Sequence, residues 1–393
     1  MQFRLRNRAL AVTLACGVAF SWPALAFDPT GNATADHFLK TVEAGGATVS
    51  GIGSVSQDGD GIQINDLSVD IRENEKAAKL VVGQTMLRNA SVLDNDRLSV
   101  GLLEMTTITI EADDGGLTVQ GLKTTDTVLP SPEEVSKAGT SNAVAPLYRS
   151  AEVNGIEIQT DDQGVVPIEQ IKVTVDAMDG DLPTAGTISM RGLKLSRDEL
   201  DDDGKKMLTD LGYEEVSLAV HGVGKWTPDD GRLNMERISI SGENVADLSL
   251  SARINGVTRD LVEKLDKAQG NAQEAMGLLQ GLSIEHLSID LQNKSVIERV
   301  LDMQAAEAGT DRAAFVGQLT GALPLLLSIL NNPQFQDKVA TALTTFLNEP
   351  NSLRAVAAPA NPVPVAQIIG AAMIAPQTLP DILSVDIQAN QSQ

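Results

Sequence analysis

The feature that most limits how this chain can fold is a short strand pattern that recurs with a slip in its middle. Apolar and polar residues alternate, the alternation breaks for one residue, and it then resumes on the opposite phase. The pattern reads Ile62-Gln-Ile64-Asn-Asp66-Leu-Ser-Val69, Leu117-Thr-Val-Gln-Gly121-Leu and Val153-Asn-Gly155-Ile-Glu-Ile158. It returns as Ile188-Ser-Met-Arg-Gly192-Leu-Lys-Leu195 and Leu282-Ser-Ile-Glu-His286-Leu-Ser-Ile289. Side chains along a strand alternate between two faces, so a one-residue slip throws the second half onto the wrong face. A β-bulge absorbs such a residue, and glycine tolerates the bulge backbone. The expected fold class is therefore α+β: a curved, mostly antiparallel, bulged sheet carrying amphipathic helices. The spacing between copies is irregular, which excludes a strict solenoid.

Two textures divide the chain. Residues 27–185 show short alternating runs separated by glycine or Asp-Gly, including Thr106-Thr-Ile-Thr-Ile110, Ile171-Lys-Val-Thr-Val175 and the turn Asp113-Asp-Gly-Gly116. Within them, Pro130 to Pro146 is poor in large apolar residues and reads as a loop. Residues 186–393 are mixed and carry most of the expected helices. Ser196 with Glu199 reads as a capping box for a helix to Leu211, stopped by Gly212. A meander of Val216–Val220, Leu233–Ile240 and Leu248–Ile254 follows, its first pair turned by Asp229-Asp230-Gly231. One amphipathic helix is expected from Val257 to Leu279. Ser295 and Glu298 form a second box, opening a helix that stops at Gly309. Helices around Phe315–Leu330 and Pro333–Leu347 come next, then strand, helix and strand to Gln388. A slipped strand feeding a Ser-capped helix thus occurs twice, near 188–211 and 282–308, as in a duplicated unit.

The N-terminus has the three parts of a secretory signal. Arg4, Arg6 and Arg8 give a positive start, Ala9 to Phe20 is apolar, and Ala24-Leu-Ala26 fits the small-x-small cleavage rule. Cleavage there leaves Phe27 first. The apolar run is shorter than the ~20 residues that span a bilayer, so the mature chain is expected to keep no transmembrane anchor. Leu14-Ala15-Cys16 resembles the end of a lipobox, but Thr13 stands where leucine is usual. The expected location is the periplasm. Cys16 is the one cysteine, so the mature chain has neither disulfide nor thiolate chemistry and folds by burial alone. The net charge of −23 argues against nucleic acid and against unaided binding to an anionic membrane.

Catalytic motifs are weak. His37, His221 and His286 lack metal or catalytic spacing. Glu199, Asp201, Asp203 and Asp210 fall at EF-hand positions one, three, five and twelve, with Gly204 at six. Lys206 occupies the usually apolar eighth position, and the capping box favours helix over loop. Gly222-Val-Gly224-Lys225 lacks the spacing and the Ser/Thr of a phosphate loop. No catalytic, cofactor or metal residue is assigned. With few aromatics, stacking on sugars or bases is disfavoured.

The slipped strands, and Leu208-Thr-Asp-Leu-Gly-Tyr213 leading into the meander, resemble the YdgA-like Gram-negative periplasmic proteins and, more distantly, the AsmA-like envelope proteins. The likeness is one of texture and transfers no site residue. It implies a non-enzymatic envelope protein holding a lipid or other apolar ligand on its sheet. The alternatives are a scaffold or chaperone with an envelope protein partner, recruited at a strand edge, and, ranked last, a carboxylate-based hydrolase.

Overall fold

A computed structural model describes residues 27–391 apart from 74–75, 114, 139–143, 161–163 and 269–270. The expected signal, with Arg4, Cys16, Ala24 and Ala26, lies outside the described residues. The fold is α+β, with sixteen strands and ten α-helices among the described residues and most helices in the second half. Two compact units divide at Asp161/Asp162. Residues 185 and 186, where the texture changes, are consecutive residues of one strand.

The first unit comprises α1 (Ala33–Ala44), β1 (Thr48–Gly51), β2 (Ser54–Asp58), β3 (Gly61–Glu73), β4 (Lys76–Val92), β5 (Leu98–Ala112), β6 (Gly115–Leu129), α2 (Pro132–Ala138) and β7 (Ser150–Thr160). Its antiparallel sheet runs β1-β3-β4-β5-β6-β7, with β2 also on β3. One face is sealed: Leu39 from α1 and Ile64, Leu87, Leu98 and Val100 from the sheet are each 0% exposed. At ~1.5–3 kcal/mol per buried aliphatic side chain, this face supplies much of the unit's stability.

The phase slips in this unit are not bulges. Asp66, Thr107 and Gly155 sit in the left-handed region, at φ 52°, 54° and 60°. Asn65 pairs Gln84 and Leu67 pairs Val82, so Asp66 lies opposite Gly83 with the register unchanged. By the same pattern Thr107 lies between Gly83 and Gln120, and Gln120 faces Gly155. The slips thus form a line across five strands, β3 to β7. Asn89, Gly101 and Asp126 form a second, shorter line on β4 to β6. Each strand inverts where its neighbour does, so both halves keep their apolar side chains on one face. In β3, Ile62, Ile64, Leu67 and Val69 are all buried. The expectation of an absorbed extra residue is corrected here: no residue is extra.

Two helices in this unit depart from the sequence reading. Asn32 caps α1 by accepting from the amides of Thr34 and Ala35. The expected loop at 130–146 contains α2, opened by a reciprocal box: Ser131 Oγ accepts from the Glu134 amide, and Glu134 accepts from the Ser131 amide. Arg97 donates to the same carboxylate.

The second unit comprises β8 (Gly164–Asp179), β9 (Leu182–Ser196), α3 (Asp202–Asp210), β10 (Glu215–Thr227), β11 (Arg232–Gly242), β12 (Ala246–Asn255), α4 (Arg259–Lys267), α5 (Ala272–Leu279) and β13 (Ser283–Asn293). It continues with α6 (Val296–Glu307), α7 (Arg312–Leu327), α8 (Pro333–Asn348), β14 (Ser352–Ala357), β15 (Val363–Pro364), α9 (Val365–Ile374), α10 (Leu379–Ile382) and β16 (Val385–Ala389). The antiparallel order is β8-β9-β10-β11-β12-β13-β14-β16, with β15 on β13. Here the slips are true bulges with a register shift. Arg191 and Gly192 (φ 66°) oppose Ala219. Glu236 is extra between β10 and β11, and Glu285 between β12 and β13.

Neither serine box in this unit forms. Ser196 belongs to β9 and makes no cap bond, and a 3-10 turn at Arg197–Glu199 separates it from α3. Asp201 caps α3 instead, through the Gly204 amide. Ser295 precedes α6 but its hydroxyl bonds Asn244 O and Tyr213 Oη, leaving Asn293 to accept from the Ile297 amide. The expected helix 257–279 is two helices, because Asn271 starts α5 afresh by accepting from the Glu274 amide. The tail expected to be a strand from Ile382 opens with α10, and β16 begins at Val385.

Candidate functional site

The register of the second unit lines up apolar residues in rows across the sheet. One row runs Val173–Ile188–Gly222–Ile238–Leu250–Ile289–Ala355–Ile387. The next runs Ile171–Met190–Val220–Ile240–Leu248–Leu291–Leu353–Ala389. On the other side of the first lie Gly186–Gly224–Met235–Ala252–Leu287–Ala357–Val385, then Trp226–Leu233–Ile254–Ile284–Val363. Members of neighbouring rows are two residues apart along most strands, and the bulges restore the phase elsewhere, so all four rows share one face. The opposite face is polar: Lys172, Ser189, His221, Ser239, Ser249, Asp290, Arg354 and Gln388 form its matching row.

Helices cover the apolar face in two places. Phe346 and Ala342 of α8 pack on Leu291, Leu353, Ile387 and Ala389. Leu208 of α3, with Tyr213, packs on Val216 and Leu218. Between these covers the face is open. Ile188, Ile240, Leu248 and Ile289 are 45–50% exposed, although they lie in the interior of the sheet. A sheet face is ordinarily buried against another layer, so this aliphatic opening is the candidate site of the second unit. Trp226 stands in the outermost row, its indole N–H donating to Val257 O at 2.5 Å.

A polar staple fixes the α3 cover. Arg299 of α6 donates to the carbonyls of Leu211 and Gly212 and stacks 4.1 Å over the Tyr213 ring. The Tyr213 hydroxyl meets Ser295 Oγ at 2.7 Å. Gly212, at φ 69°, makes the left-handed turn that ends α3. Leu208 to Tyr213 thus fasten one border of the open face. Arg299 carried no motif and was invisible to sequence reasoning.

The carboxylates with EF-hand spacing are not brought together. Glu199 sits in the 3-10 turn, Asp201 caps α3, Asp203 is in its first turn and Asp210 is its last residue. At ~1.5 Å per residue, Asp203 and Asp210 lie about 10 Å apart along the helix axis. Asp210 accepts from Lys206. Among the described residues, no three His, Cys, Asp or Glu side chains group as a metal site.

The histidines are equally dispersed. His37 bonds the Asp96 carbonyl, and His221 lies in the polar row. Burial, with Arg253 and Arg354 nearby, lowers the His286 pKa. A cleft of about 400 Å³ lies among Phe27, Val49 and Val55 of the first unit, and another of about 340 Å³ among Asp70, Lys79 and Glu111. In the second, Lys79 stands between the two acids across β3, β4 and β5. Glu134 is held down to about 2 by Arg97 and Ser131, and Glu285 is lowered chiefly by Arg253. Such shifts favour the carboxylate, the reverse of a general acid.

One protein family, described as "Uncharacterized protein", matches residues 239–390. That span begins in β11 and holds α4 to α10. No match was found among curated proteins.

Proposed function

We propose that this chain is an exported envelope protein that shelters an apolar ligand, an acyl chain or a similar hydrocarbon, on the open face of its second unit. The observation that carries this reading is the half-exposed group Ile188, Ile240, Leu248 and Ile289, drawn from two adjacent rows between the α3 and α8 covers. Burying each such side chain under a ligand stabilises the complex by about 1 kcal/mol, half the value for full burial. The half-exposed stretch is aliphatic, with Trp226 in the outermost row of the same face, so it selects for shape and hydrocarbon content and not for a headgroup. The resemblance to YdgA-like and AsmA-like proteins, and the signal-like start, point the same way.

Delipidation followed by native mass spectrometry with a C16 fatty acid tests it. One bound acyl chain is expected, with Ile240→Asp plus Ile289→Asp losing it at unchanged secondary structure. A chain that takes up no acyl ligand, or a double variant that binds as well, refutes the proposal.

A further inference from the structure

A second group of exposed apolar side chains lies at the ends of α7 and α9. Leu325 and Ile329, at and just beyond the end of α7, are 78% and 86% exposed, and Met373 and Ile374 at the end of α9 are 80% and 87% exposed. These are among the most exposed aliphatic side chains described. The segments that follow the two helices are tied by Asn332, whose side chain donates to Gln377 O at 3.1 Å and to Asp381 at 3.2 Å. The span Arg312–Leu330 is long and apolar enough to cross a membrane, yet little of it is buried. The core helix of a soluble protein with that composition is mostly buried, and this one is not.

Charge says what meets this tip. Residues 313–336 and 355–380 contain no Asp, Glu, Lys or Arg, in a chain where such residues make up 21%. The basic residues near the limits of these stretches are neutralised: Arg312 by Asp302, Lys338 by Asp386 and Arg354 by Asp290. A tip meant for an anionic surface would keep free cations. A tip meant for a protein would carry Tyr, Trp or Arg anchors, and this one is aliphatic, with Ser328, Asn331 and Thr378 close by in the chain. We infer that the exposed ends of α7 and α9 insert into the outer hydrocarbon of a bilayer whose headgroups carry no net charge. The pairing of Val316 and Leu323 of α7 with its neighbours, both buried, keeps the rest of the helix on the protein, so the insertion is interfacial.

Flotation with phosphatidylcholine vesicles tests this, using the chain from Phe27, which carries every described element. The chain is expected to float with the vesicles, to the same extent in 50 mM and 500 mM salt. Leu325→Ser, Ile329→Ser and Ile374→Ser together should lower partitioning by at least a hundred-fold, on the order of ten-fold per side chain, at unchanged circular dichroism. Ile240→Asp plus Ile289→Asp, which addresses the sheet face, should float normally. Three results overturn the inference: no flotation, flotation that the tip variant retains, and sedimentation as a dimer that the tip variant abolishes without any vesicle binding.

Discussion

The two units meet the same local problem, a mid-strand change of phase, with different backbones. In the first unit β3 to β7 invert together, with left-handed residues at Asp66, Thr107 and Gly155 on alternate strands, and the register does not shift along that line. In the second, single extra residues such as Glu236 and Glu285 bulge out of one strand against its neighbour. In both, one apolar face survives the slip. The first unit closes it, with Leu87 and Leu98 at 0% exposure, and the second leaves Ile289 at 50%. Phase correction therefore does not dictate closure. What differs is the cover: among the described residues α8 and α3 pack on two borders of the second face and leave Ile188, Ile240, Leu248 and Ile289 half exposed.

The sharpest way to break this comparison is to remove matched side chains from the two faces. Leu87→Ala should cost about 2–5 kcal/mol of unfolding free energy, because the site is sealed and a cavity remains. Ile289→Ala should cost less than about 1 kcal/mol, since half of its surface is already wet. Urea unfolding followed by circular dichroism reads both, and equal costs would mean that the second face is closed in solution. Gly155→Ala comes next, at about 1–2 kcal/mol, because alanine resists the left-handed region and its Cβ would stand 2.3 Å from Gln120 Cδ. Gly121→Ala on the neighbouring strand, where the nearest atom would be 3.8 Å away, should cost less than half of that in the same assay.

Thr107→Gly tests whether the kink line is strained. A β-branched residue at φ 54° is held there at a cost, so glycine should raise stability by up to about 1 kcal/mol, and a loss of stability would show that the threonine side chain outweighs the strain. The smallest effect concerns acid. The Glu134 carboxyl lies at about 2 in the folded chain, below its ordinary value of 4.5. Its contribution is present above pH 4.5 and is lost as the pH falls toward 2. Hydrogen exchange of the α2 amides should therefore speed up between pH 4.5 and 2 relative to the intrinsic rate, and Glu134→Gln should flatten that dependence.

Much of this was legible in the sequence, and the failures have physical causes. Alternation located the meander, and Gly212, Gly231 and Gly309 marked turns that the left-handed backbone confirms. The slip was legible as a slip, but not its kind. Asp66 and Thr107 do not announce a left-handed backbone, and whether a neighbouring strand slips in step is not local information. Capping motifs misled because serine has other partners: Ser295 bonds Tyr213 and Asn244, which are distant in sequence. The box that does form, Ser131 to Glu134, hid in a stretch whose composition reads as loop. The open aliphatic face was legible only as alternation, since exposure depends on where helices land.

Trp226 allows the openness of that face to be measured directly. Its ring belongs to the outermost apolar row, beside Leu233. Tryptophan emission should be quenched by fatty acids brominated along the acyl chain, saturably and at stoichiometric ratio, and Trp226→Phe should remove the quenched component. Emission indifferent to brominated chains, while the protein remains folded, would contradict the claim that the second unit keeps its apolar face open to a hydrocarbon ligand.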